Sequence, residues 1–282
     1  MKKSSSIIIG LFIAFMCLPL AATLVYSFST EWGKSLLPSG FTCDWYAALY
    51  RDPAFLMAVL HSLLLTVLTL AIVLIILVPS IVLIALYLPK YDRYLKATIL
   101  LPYAIPGVIL ATALMRTYTD APIPLLLILS GGLFIYSLPF MYQSVRSSLR
   151  EIDGIALLEA AELLGASKWR ALLQIIFPNI RIGIMVGSLL TFSAFFGEFQ
   201  LTNMILGGQF ETIRIYMLRV MQINGHLASA VVITYLLLLG LIGGCIVRLT
   251  HLQKRRVSRG TTKQADHEMS REGCATNELL DH

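Results

Sequence analysis

Charge is what this sequence has least of. Asp, Glu, Lys and Arg make up 13% of its 282 residues, while apolar residues make up 57%. Soluble domains carry about a quarter charged residues. With a mean hydropathy of +0.78, the chain has too little charge to cover a globular surface in water, which excludes a soluble fold. Cysteine is scarce too: Cys17, Cys43, Cys245 and Cys274 show neither metal-ligand spacing nor a disulfide framework, and they read as buried, inert thiols. The five histidines, at 61, 226, 251, 267 and 282, form no His-Glu-x-x-His motif. Gly33-Lys34-Ser35 ends like a phosphate-binding loop, but that pattern needs a glycine where Phe28 stands. Nothing in the chain asks for a metal or a cofactor, and an ATPase site of its own is excluded.

What is present is apolar length. A bilayer core takes about 20 apolar residues as a helix, because no water there can satisfy the backbone. Six stretches qualify, at 7–28, 54–86, 97–118, 122–143, 182–206 and 227–249. The predicted fold class is therefore all-α, a polytopic membrane protein with six transmembrane helices. Met1-Lys2-Lys3 before the first run also fits a cleaved signal peptide, but the run continues to Phe28, which favours an uncleaved span. The second stretch exceeds a bilayer's need, and Pro79 is placed to kink it. Gly131, Gly132 and Pro139 interrupt the fourth.

Orientation follows from the basic residues. With the N-terminus inside, Lys34, Arg51, Arg116, Arg214 and Arg219 fall outside, and the other 17 of the 22 Lys and Arg fall inside. This is the positive-inside asymmetry, so both termini are expected in the cytoplasm. The net charge of +6 is then mostly a topology signal rather than a nucleic-acid surface. Three regions result: a first helix with its external segment (1–53), a membrane core (54–252), and a polar tail (253–282) expected to be disordered, whose Lys254-Arg255-Arg256 suits anionic lipid headgroups.

One cytoplasmic segment, 144–181, is too long for a simple connection. It reads as two short helices, 155–164 and 168–176. In the first, Leu157, Ala160, Ala161 and Leu164 fall at i, i+3, i+4, i+7. Gly165 closes it, Ser167 caps the second, and Pro178 stops or bends that one. Ala160 and Ala161 leave a flat surface for another protein, with Glu159, Glu162, Lys168 and Arg170 as polar anchors. The plain alternative is an amphipathic linker lying on the membrane.

Glu159-Ala160-Ala161, Gly165, Ile175 and Phe177-Pro178, at these spacings, resemble the EAA loop of binding-protein-dependent importer permeases, with Phe177 where the pattern has Leu. Leu101-Pro102-Tyr103-Ala104-Ile105-Pro106-Gly107 resembles the start of a core helix of that family. Leu138-Pro139-Phe140, Arg146, Leu149, Ile152 and Asp153 resemble the approach to its loop. The resemblance covers roughly 60–250. It implies a type I ABC importer permease core in a bacterial inner membrane, with no catalysis of its own. The partners it implies are a cytoplasmic ABC ATPase dimer, a second permease subunit (identical or a sister chain) and an external solute-binding protein. It places Glu159, Ala160, Ala161, Gly165, Ile175, Phe177 and Pro178 in coupling to the ATPase. Gly183-x-x-x-Gly187 and Gly240-x-x-x-Gly244 are candidate sites of close helix approach.

An ionisable residue inside the membrane is a functional candidate by default. Glu198 is one, and Gln200 and Asn203 extend a polar stripe from it. It reads equally as a contact for a cationic or polar solute and as an internal helix–helix pairing. His61 reads as a satisfied interface residue and Arg116 as an end-of-helix anchor. Gln209–Tyr216 resembles permeases for polyamines, aminoethylphosphonate, ferric iron or thiamine more than those for oligosaccharides. The rival classes are an integral membrane enzyme, which lacks a nucleophile–base pair here, and a secondary transporter or channel, for which inverted repeats and paired intramembrane charges are missing.

Overall fold

The computed structural model describes residues 2–33, 38–118 and 120–248; the tail predicted for 253–282 and Lys34 lie outside them. The helices, in chain order, are α1 (Lys2–Phe28), α2 (Asp44–Arg51), α3 (Pro53–Tyr87), α4 (Pro89–Ala104), α5 (Gly107–Tyr118), α6 (Leu125–Glu151), α7 (Gly154–Leu163), α8 (Lys168–Phe196), α9 (Gln200–Ile205), α10 (Ile213–Met221) and α11 (Gly225–Arg248). Five of them, α1, α3, α6, α8 and α11, are continuous helices long and apolar enough to cross a membrane. Helices α4 and α5 pass the same test of length and apolarity only as a bent pair, which makes six spans when the pair is counted as one broken span. The chain divides into a unit of Met1–Leu239 and a second of Gly240–His282, in which 240–248 continue α11.

The third span departs from the continuous helix expected over 97–118. Pro89–Pro102 and Gly107–Tyr118 meet at 96°. Pro106 has no N–H to continue a ladder, and the residue before a proline is pushed out of the helical region. Ile105 is accordingly extended, at φ −97°, ψ 115°.

The fifth span departs in the opposite sense. The predicted short helix 168–176 and the span beyond it are one continuous helix, α8, and Pro178 does not stop it. Five residues of π-helix, Leu172–Ile176, lie just before the proline, and the Phe177 N–H bonds the Leu172 carbonyl five residues back. The wider turn relieves the clash between a proline ring and the carbonyl four residues earlier. The same device precedes Pro79 in α3, where Val73–Leu77 is π-helical and the Val78 N–H reaches the Val73 carbonyl. Both inserts lie toward the cytoplasmic ends of their spans.

The main core joins α3, α6, α7 and α8 through residues such as Val82, Met141, Leu149, Leu158, Ile176 and Ile180. The broadest helix–helix contact is α6 with α8. Gly183 and Gly187 set its closeness: a side chain at Gly183 would collide with Ser144 and Ser148, and one at Gly187 with Met141. The first small-residue pair thus serves packing inside this chain, where close backbone approach replaces the hydrophobic drive that lipid removes. A second, outer cluster joins α2, the start of α3, α10 and the start of α11 through Leu49, Phe55, Ile213, Tyr216 and Val231. Helix α1 buries none of its apolar window. Cys17, Cys43 and Cys245 are free, and they are exposed rather than buried as the sequence suggested; Cys17 and Cys245 lie on apolar spans, where a side chain facing lipid needs no core around it.

Candidate functional site

The cytoplasmic loop is built around α7. Asp153 enters it in the left-handed region, at φ 46°, an uncommon conformation outside glycine. Gly154 follows, packed so tightly against Leu86 and Leu149 that a β-carbon would crowd both. The helix ends as the sequence implies. Gly165 takes φ +83°, the Ala166 N–H bonds the Ala161 carbonyl at 3.0 Å, and the Gly165 N–H bonds Glu162 at 3.0 Å. This is the hydrogen-bond pattern of a glycine-closed helix end.

The faces of α7 sort differently from the expected stripe. Gly154, Leu158 and Ala161, at i, i+4, i+7, are buried against the membrane core. Glu159, Ala160, Glu162 and Gly165 face out. The two alanines therefore do not share one surface: Ala161 packs inward and Ala160 is presented. Leu163 and Leu164 are each 89% exposed at the tip, and Trp169 is 69% exposed beside them. Of the remaining coupling candidates, Ile175 and Phe177 are half-buried at the root of α8, and Pro178 is exposed. Lys168 Nζ sits 5.3 Å over the Tyr87 ring, a cation–π contact that ties α8 to the end of α3.

Behind the loop lies an ion pair that the sequence did not reveal. Asp92, in the first turn of α4, accepts from Arg146 Nη2 at 3.0 Å and Nε at 3.2 Å, and from the Tyr142 hydroxyl at 2.9 Å. Both charged groups are largely buried. Fifty-four residues separate the pair, so no local spacing signals it.

Glu198 lies in the break between α8 and α9, not within a continuous span. One carboxylate oxygen accepts from the Leu201 N–H at 2.7 Å; the other accepts from the Thr202 N–H at 3.0 Å and the Thr202 hydroxyl at 2.6 Å. It caps the short helix α9, as acids at helix N-termini do. The same carboxylate borders a cavity of about 240 Å³ whose other walls include Pro102, Ile105, Tyr136 and Phe140, so the bend in the third span opens beside it. Gln200 reaches Gly107 at the start of α5, where a side chain would collide with its amide oxygen and crowd the Tyr136 hydroxyl. Asn203 is exposed on α9. The three polar residues thus share one break region, but only Glu198 lines the cavity.

The outer side is closed by long-range bonds. Asp52 accepts from the Ala54 N–H, capping α3, and from the Tyr216 hydroxyl at 2.7 Å. Ser62 Oγ accepts from the Ile213 N–H at 2.9 Å. His61 donates from Nδ1 to the Glu211 carbonyl at 3.0 Å and stacks on Phe210. His226 donates from Nδ1 to the Tyr26 carbonyl at 3.0 Å and is stacked between Tyr26 and Trp45.

Known proteins share this architecture. The chain is 25% identical over 253 residues to the spermidine/putrescine transport system permease protein PotC of Escherichia coli strain K12, covering 88% of this chain and 93% of PotC. It is 28% identical over 278 residues to PotB of the spermidine/putrescine transport system of Salmonella typhimurium strain SL1344, with 89% and 94% covered. It is 27% identical over 230 residues to the putative 2-aminoethylphosphonate transport system permease protein PhnV of Salmonella typhimurium strain LT2, with 80% and 85% covered. Its fold matches a chain of a bacterial ABC transporter involved in the import of the acidic polysaccharide alginate, at a TM-score of 0.58 and 18% identity, over 88% of this chain and 92% of that one. Residues 78–259, which include the whole cytoplasmic loop, match the family described as the binding-protein-dependent transport system inner membrane component. This chain belongs to that family, as a membrane-spanning permease subunit of an ABC importer.

Proposed function

We propose that α7 is the lever through which a cytoplasmic ATPase dimer drives this permease, and that the cargo is a small polar solute bearing an aliphatic amine. The observation that carries the coupling half is the presented tip of α7. Glu159 and Ala160 face out, with Leu163 and Leu164 almost fully exposed beside them, on a helix whose opposite face is locked into the core of the spans. An exposed apolar patch rimmed by charge marks a protein interface. Because Leu158 and Ala161 pack against the same core as the π-helical root of α8, a push on the tip moves the spans with it, in a hinge-type transition. A second permease subunit completes the pathway, and an external binding protein delivers the solute.

The amine rests on two supports. The systems named for PotC, PotB and PhnV carry spermidine, putrescine or 2-aminoethylphosphonate, and all of these contain a primary amine. Glu198 offers a half-buried carboxylate at a cavity between spans.

Gly165→Asp, or a bulky side chain in place of Ala160, is expected to abolish ATPase association and uptake while membrane insertion is kept; normal uptake by such a variant overturns the coupling assignment. Glu198→Gln is expected to lower uptake of an amine solute by about tenfold or more, with stability falling by only about 1 kcal/mol because the amide oxygen still caps α9. A loss of uptake no greater than the loss of folded protein would leave Glu198 as a cap alone.

A further inference from the structure

A second site lies at the cytoplasmic end of the groove between α4 and α6. It is a pocket of about 380 Å³, and its lining separates by depth. On α6, Pro139, Gln143, Arg146 and Arg150 follow one stripe at i, i+4, i+7, i+11, which climbs about 16 Å toward the cytoplasm. On the antiparallel α4, Lys96 stands at the cytoplasmic level, while Ile99 and Leu100 lie one turn deeper, beside Pro139. The deep end is apolar and the shallow end carries three cations. No carboxylate lines the pocket. Asp92 occupies Arg146, and among the described residues neither Lys96 nor Arg150 has a carboxylate within 4.0 Å. The site therefore holds two uncompensated positive charges above a greasy floor.

We propose that this groove binds a phosphate-bearing anion, and that its occupant is the headgroup of an anionic phospholipid of the inner leaflet. The phosphate chemistry follows from the cations, with the Ser147 hydroxyl and the Gln143 amide beside them as donors. The lipid, rather than free phosphate, follows from the polarity gradient. A soluble anion has no use for Ile99, Leu100 and Pro139, whereas an acyl chain entering from the bilayer lies along them while its headgroup meets Lys96 and Arg150. Basic pockets at the cytoplasmic ends of spans are suited to such headgroups.

The test uses the purified transporter complex in a non-ionic detergent. Native mass spectrometry would follow retention of phosphatidylglycerol against phosphatidylcholine. Wild type is expected to prefer the anionic lipid, and to lose that preference in high salt. Lys96→Gln with Arg150→Gln is expected to weaken retention by about thirtyfold, since each basic residue near an anionic surface contributes about fivefold. Lys90→Gln with Arg93→Gln, on α4 but outside the groove, should leave it within about twofold. The charge-keeping pair Lys96→Arg and Arg150→Lys should retain the lipid, which separates loss of charge from loss of fold. If inorganic phosphate shields the pocket in wild type but not in the double variant, while lipid retention never differs between them, the phosphate chemistry stands and the lipid source is overturned. If neither lipid nor phosphate distinguishes the double variant from wild type, the site itself is overturned.

Discussion

The outer and cytoplasmic ends of this subunit are finished to different degrees. Outside, polar groups far apart in sequence find each other: Asp52 with Tyr216, Ser62 with Ile213, His61 with Glu211, and His226 with Tyr26. An aromatic cluster of Tyr26, Trp45 and His226 fills the space between them. Inside, α7 is pinned along one face only, and its tip leaves Leu163, Leu164 and Trp169 in the open. The outer contacts are made within the chain itself, whereas the tip of α7 presents an apolar surface that the described residues leave uncovered. Substitutions in the outer network and at the tip of α7 should therefore fail in different assays, the first in stability and the second in association.

The largest effect is expected at the tip. Leu163→Glu with Leu164→Glu should weaken ATPase association by about 100-fold, the scale on which an interface loses its apolar anchors. Thermal stability of the isolated subunit should stay within about 0.5 kcal/mol, as for surface positions generally. A large drop in stability, measured by melting in detergent, would break the comparison.

Next comes Asp52→Ala, which removes both the cap of α3 and the acceptor of a buried hydroxyl. It should cost about 2–3 kcal/mol, with ATPase association unchanged at equal amounts of folded protein.

Tyr216→Phe removes only the hydroxyl and should cost about 1–2 kcal/mol. It also sharpens the contrast through pH. Burial, and then the hydrogen bond to Asp52, push the Tyr216 phenol well above its ordinary value. The folded state thus holds the proton more tightly than the unfolded chain does. That contribution is complete below about pH 10 and is lost as pH rises further, because the unfolded tyrosine ionises first. Wild type should lose stability above about pH 10 more steeply than Tyr216→Phe in pH-dependent melting.

The smallest effect is expected at Arg219. Its pair with Glu211 is short, 2.7 Å, but the Arg219 side chain is 48% exposed, so Arg219→Gln should cost about 0.5 kcal/mol or less and respond to salt.

How much of this was legible in the sequence depended on the range of each signal. The spans were readable because hydropathy accumulates over twenty residues and needs no partner. The end of α7 was readable because Gly165 alone supplies the positive φ that closes it. The break in the third span was not, since hydropathy runs straight through Pro102 and Pro106 and does not register the missing N–H groups. Pro178 misled in the other direction: the local rule ends a helix there, but packing of Ile176 and Ile180 in the core and one wide turn carry α8 through. The partners of Asp92, His61 and His226 lie 54 to 200 residues away, beyond any spacing rule. For Glu198, the sequence offered a solute contact or a helix–helix pairing. The short helix that the carboxylate caps follows a break that apolar flanking residues conceal.

The wide turns before Pro79 and Pro178 also set how this chain can tolerate a change in length. Each α-helical residue turns the chain by about 100° and advances it by about 1.5 Å. A π-helical stretch behaves as one residue spliced into an otherwise regular helix. Deleting a single residue from Leu172–Ile176 would restore the α-helical register, and with it the clash between the Pro178 ring and the carbonyl four residues earlier. It would also swing everything before it, Trp169 and the whole of α7 included, by roughly a quarter of a turn about the span. The apparent imperfection is an angular spacer that aims the loop.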